Sequence, residues 1–137
     1  MRAVVAMALV LGPVLLSAQD APKVHTVGAV RTSPASGKEM FRAYCGSCHG
    51  VNGKGDGPAV AALKGRPADL TLLSKTNGGK FPAMRVMNSI KDGQPVSHGS
   101  KEMPVWGPIL SSVSDNPGVV DQRVANLVGY IESIQIK

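Results

Sequence analysis

Bulky side chains are scarce in this chain. Phe41, Tyr44, Phe81, Trp106 and Tyr130 are the only aromatic residues among 137, set against 16 Gly and 10 Pro. A domain so poor in aromatics has little with which to fill a core, and at this size it needs a staple or a cofactor. Two cysteines are too few for a disulfide scaffold, and the length excludes a multidomain enzyme. Runs of Lys or Arg are absent. The basic residues stand singly, without interleaved aromatics, which argues against a nucleic-acid surface. Convincing alternating strands are also missing. The hydrophobic content of 43% with 18% charged residues nonetheless describes a folding chain and not a disordered one. The formal net charge of +6 suits solubility or attraction to an acidic partner, an attraction that salt would screen.

Only one long apolar run exists, and it lies at the start. Arg2 is a short positive region, Ala3 to Leu16 is almost wholly apolar, and Leu16-Ser17-Ala18 ends on small residues. This is the pattern of a cleaved export signal over residues 1–18. The run falls short of the ~20 residues that a membrane-spanning helix needs, so no stable span is expected in the mature chain. Residues 19–35 carry Pro22 and Pro34, lack periodicity and read as a polar leader. His25 within it reads as a solvated residue. The folded domain is expected over residues 36–137, exported, and periplasmic in a Gram-negative bacterium.

Ser36-Gly37-Lys38-Glu39 has the form of a capping box, and Met40, Phe41 and Tyr44 follow it. A short helix therefore runs into Cys45-Gly46-Ser47-Cys48-His49. Two cysteines two residues apart, with histidine next, form the attachment signature of a c-type haem. Each thiol can add to one porphyrin vinyl group, and His49 is then held beside the iron. The competing readings are weaker. A thioredoxin-like pair wants a strand before it, a zinc site lacks further ligands, and a Cys45–Cys48 disulfide closes too small a loop to stabilise much. Four glycines among residues 50–57 make the following stretch a loop whose backbone could lie close to a flat porphyrin edge. No Gly-Lys-Ser/Thr element follows it to suggest a phosphate cradle. Residues 59–64 read as a turn or short helix.

The second axial position has several candidates: Met103, Met84, Met87, Met40, His98 and water. Met40 is too close to the attachment site. Met84 and Met87 lie in Pro82 to Asp92, which reads as a helix with an apolar stripe of Ala83, Val86, Met87 and Ile90 and with Gly93 after its end. Methionines on such a stripe are usually core. Met103 sits in a Gly- and Pro-rich loop, with Pro104 fixing the backbone after it, and is preferred over His98. A thioether suits ferrous iron. Trp106 reads either as a residue of the haem rim or as ordinary core.

Val120, Val124, Leu127, Ile131 and Ile134 recur at helical spacing after an Asp115-Asn116-Pro117-Gly118 turn. That predicts a closing amphipathic helix with Asp121, Gln122, Arg123, Asn126, Glu132 and Gln135 largely outside. The predicted fold class is all-α, with helices wrapped around one cofactor.

Taken together, the order of helix, C-x-x-C-H, Gly-rich loop, Met-Pro loop and closing helix resembles a class I cytochrome c, over about Ser36 to Ile134. Gly37 and Phe41 stand before Cys45 at the family's spacing, and Leu127 and Tyr130 match the positions that pack against them. The resemblance implies the small cytochrome c fold with its first and last helices crossed. It also implies one covalently attached haem c with His49 and Met103 as axial ligands, and a single-electron carrier that is no enzyme in its own right. Its partners would be redox proteins with acidic docking surfaces, steered by Lys54, Lys64 and Lys101. The alternatives are a haem subunit of a larger respiratory oxidoreductase, or a peroxidase or gas sensor with a displaceable sixth ligand. The family also uses a proline carbonyl to orient the proximal histidine, for which Pro58 and Pro67 are the candidates.

Overall fold

The computed structural model describes residues 30–93, 103–114 and 116–136. The expected export signal, most of the expected leader, His25, His98 and Lys101 lie outside the described residues.

The first helix, α1, is continuous over residues 37–49 but changes pitch twice. It is α-helical at Gly37–Met40, π-helical at Phe41–Cys45 and α-helical again at Gly46–His49. Ser36 caps it as expected, its hydroxyl accepting from the Glu39 N–H at 3.2 Å. The return half of the box is taken over by the backbone, because the Ser36 N–H donates to the Ser33 carbonyl at 3.2 Å. A wide turn of this kind inside an α-helix typically marks a functional segment, and here it opens directly onto the two cysteines.

Short helical turns follow at Pro58–Ala62 and Leu70–Leu72, the latter running into α2 (Leu73–Thr76). The helix α3 covers Ala83–Asp92, one residue inside the predicted span, and stops at Gly93 in the left-handed conformation. The segment after Met103, expected as loop throughout, turns helical at α4 (Trp106–Ser111). The last helix, α5, covers Pro117–Ser133, with the Asn116 side chain capping the Gly118 N–H at 2.9 Å. No strand occurs among the described residues, so the fold is all-α. No helix among them is long and apolar enough to cross a membrane.

One core joins these elements. Met40 and Phe41 of α1 are fully buried, as are Leu110 of α4 and, nearly so, Val124 and Leu127 of α5. Val86 and Ile90 of α3 close it from the side. The first and last helices cross at Gly37, where a Cβ would overlap the Asn126 carbonyl and approach the Tyr130 Cβ at 2.9 Å. Glycine there lets two backbones touch. One turn further on, the Phe41 and Tyr130 rings pack with centroids 5.2 Å apart. This pairing is the one that the resemblance implied.

Two of the residues expected on the outward side of the closing segment, Arg123 and Gln135, are turned inward. Arg123, expected in solvent, is only 5% exposed. Its guanidinium donates to the Thr32 carbonyl at 2.8 Å and the Thr32 hydroxyl at 3.0 Å, which draws residues 30–34 onto the helix. Asn126 adds a bond to the Pro34 carbonyl at 2.8 Å. Gln135 is also turned inward. Its amide donates to the carbonyls of Leu70 (2.6 Å) and Ile131 (2.8 Å), and its oxygen accepts from the Ser74 N–H (2.8 Å). Gln135→Ala strands the Ser74 and Leu70 groups. It is expected to lower stability by about 2 kcal/mol, read from the urea unfolding midpoint.

Candidate haem site

The site is assembled from α1, the loop that follows it, α3 and the segment from Met103 to α4. Cys45 ends the π-helical stretch, and Cys48 and His49 lie on the next turn. Both thiols are free and part-buried. Burial, and to a smaller extent the neighbouring Cys48, pushes the Cys45 thiol up to about 12. In the closed fold this sulfur is therefore a protonated thiol at neutral pH, not a nucleophilic thiolate.

His49 is 7% exposed, and its ring Nδ1 lies 3.1 Å from the Ala68 carbonyl oxygen. A carbonyl acceptor requires the proton on Nδ1, which makes Nε2 the ring nitrogen whose lone pair suits a metal ion. The expected proline carbonyl does not fill this role. The Pro67 carbonyl instead backs onto Gly55, whose positive φ of 70° and missing Cβ allow that approach. The glycines after the motif therefore serve protein–protein backbone packing: the Gly55 N–H donates to the His49 carbonyl at 2.8 Å and the Gly57 N–H to that of Cys48 at 3.1 Å. These bonds fold the loop back over the end of α1 and bring residues 67–68 against the histidine. Sequence reasoning had no signal for Ala68, since a backbone acceptor leaves no mark on residue type.

Two cavities open beside His49. One is lined by Tyr44, Cys45, Cys48, Leu63, Pro104 and Trp106 among others. The second is walled by Leu70, Leu73, Val86, Ile90 and Ile131, with Arg85 as its charged side chain. Cys45, His49, Ala68 and Met103 border both. The walls are mainly apolar, as those of small-molecule and cofactor sites are. Trp106 lies in the first wall, its ring 5.1 Å from that of Tyr44.

The other methionines among the described residues are placed elsewhere. Met84 is 66% exposed on α3, Met40 is sealed in the core where its sulfur accepts from Arg123 at 3.6 Å, and Met87 packs against the core from α3. The residues present fit a haem: two thiols, an imidazole oriented by a carbonyl and a thioether border one cleft whose walls are mainly apolar.

No curated protein and no solved structure matches the chain. The family described as Cytochrome c matches residues 34–135, the whole of the folded segment but its ends. With that match, the C-x-x-C-H helix and the apolar cleft beside it, the chain belongs to the cytochrome c family and is a haem-binding electron carrier with covalently attached haem c.

Proposed function

We propose that this protein is a single-electron carrier in which His49 and Met103 would hold the haem iron. The observation that carries this reading is that His49 and Met103 border the same two cavities, while Met40, Met84 and Met87 are taken up by core or solvent. Bound haem supplies an iron that takes up and gives back one electron. The chain supplies the rest. Cys45 and Cys48 keep the group from leaving, the Ala68 carbonyl fixes the His49 tautomer and ring plane, and Met103 gives a soft neutral ligand that favours the ferrous state. The apolar walls exclude water and further raise the reduction potential.

The apolar N-terminal run supports export, and in a Gram-negative bacterium the destination is the periplasm. The net charge of +6 supports acidic docking surfaces on the redox partners. Lys54 and Lys64 are exposed near the attachment motif. Such partners would dock near the attachment motif, and His49 and Met103 would keep their hold on the bound group in both oxidation states.

Carbon monoxide tests the ligand set. The reduced holoprotein at neutral pH is expected to resist it, because Met103 already fills the sixth position, and Met103→Ala is expected to bind it readily. Ready binding by the unsubstituted protein would replace the carrier with a peroxidase or gas-binding reading.

A further inference from the structure

Arg123 is the one buried residue of α5 that carries a charge, and the electron-transfer reading so far has no use for it. Its guanidinium is held by Thr32, through both carbonyl and hydroxyl, and by the Met40 sulfur. No carboxylate among the described residues pairs with it, and its buried Nε has no hydrogen-bond acceptor among them. Asp121, on the same helix, is exposed and engaged by Lys91 at 2.8 Å. Glu39, next to Met40 on α1, is exposed as well. From α1 the titratable group facing this network is the Tyr44 hydroxyl. It lies 2.7 Å from the Thr32 hydroxyl and donates to the Val30 carbonyl at 2.6 Å.

The network reaches the haem cleft. The ring of Tyr44 lines the first cavity and packs on Trp106, which lines the same wall. A cation without a counter-ion in the interior is costly to bury, and salt screens it little. A fold that keeps one two hydrogen bonds from a cofactor wall gains a fixed positive potential there. Reduction of ferric haem removes one positive charge from the iron centre, so a nearby cation favours the reduced state.

The geometry points to Arg123 as a positioning residue of the redox site: its charge, which no carboxylate among the described residues pairs and which is tied through Thr32 to the Tyr44–Trp106 wall, raises the reduction potential of the haem. This rests on the haem reading above and adds to it a tuning element that the motif does not contain.

The test is equilibrium redox titration of the holoprotein against mediators, with Arg123→Met and Arg123→Lys. Arg123→Met removes the charge and keeps most of the volume. It is expected to shift the ferrous/ferric ratio at fixed ambient potential about tenfold toward ferric, which is 59 mV for one electron. Arg123→Lys places a titratable cation in the same unpaired site, where desolvation lowers its pKa. Its potential is expected to equal that of the unsubstituted protein at low pH and to fall to that of Arg123→Met as pH rises. A merely structural strap would lower thermal stability in both variants without this pH signature. Potentials within twofold in ferrous/ferric ratio across all three proteins would overturn the proposal. Should Arg123→Met fail to fold, the pH profile of Arg123→Lys alone decides. Failure of the haem reading itself looks different, since no haem would then be present to titrate.

Discussion

Replacing Cys45 and Cys48 together with alanine is expected to give a protein whose intact mass is that of the polypeptide alone and whose haem is lost on gel filtration. The cleft explains the size of the effect. Its walls are apolar and its two cavities together border much of the inner face of α1, α3 and the Met103 segment. Without a cofactor these surfaces face either a void or water, and both are unfavourable. Thioether bonds present haem at an effective concentration in the millimolar range, against a micromolar concentration of free haem. That ratio of roughly a thousand is worth about 4 kcal/mol of folded-state stabilisation. It is a large part of the ~5–15 kcal/mol that holds a domain together. The measurements are intact mass and thermal unfolding of both proteins from a host able to attach haem. Retention of tightly held haem with unchanged unfolding would show that the axial ligands suffice without the thiols.

The second large effect belongs to a position with no chemistry. Gly37→Ala places a methyl group against the Asn126 carbonyl, a backbone atom that cannot swing away. Helix propensity alone favours alanine by roughly 0.5–1 kcal/mol. Packing acts the other way. Forcing the crossing apart costs typically ~1–3 kcal/mol and weakens the Phe41–Tyr130 ring contact, worth a further ~0.5–1.5 kcal/mol. The net expectation is a loss of about 2 kcal/mol, and in a domain of this size a fall in Tm of roughly 8–16 °C. Gly129 is the matched control. It lies on the same closing helix with open space where its Cβ would be, so Gly129→Ala is expected to raise Tm slightly. If both substitutions move Tm in the same direction, the close approach of the two helices is not what Gly37 serves.

What could be read from the sequence was whatever is encoded in contiguous residue types. Cys45, Cys48 and His49 are adjacent, so their shared chemistry is visible without a fold. The apolar repeat of Val120, Val124, Leu127 and Ile131 gave the closing helix, and the Pro82 and Gly93 punctuation gave α3. Three features were hidden. Arg123 reads as a surface residue from its charge although its spacing from Val120 and Leu127 puts it at the edge of the apolar stripe, and only the chain arriving from Thr32 gives that charge a buried place. Ala68 acts through its carbonyl, which every residue has. The short helices Leu70–Leu72, Leu73–Thr76 and Trp106–Ser111 are too brief for periodicity to register, and they depend on tertiary bonds such as those from Gln135.

The crossing of the first and last helices also sets a timetable. The residues that bear the thiols are made some seventy positions before Pro117, where α5 begins. Until α5 has docked, Gly37 and Phe41 have no partner, and α1 cannot be sealed. Contacts so distant along the chain carry a loop-closure cost that slows folding. During that interval Cys45 is in water and ionises as an ordinary thiol does, whereas burial in a fold closed before any thioether has formed pushes the thiol up to about 12. The nascent chain is thus at its most reactive before it closes, and the topology itself keeps the window for joining cofactor to sulfur open.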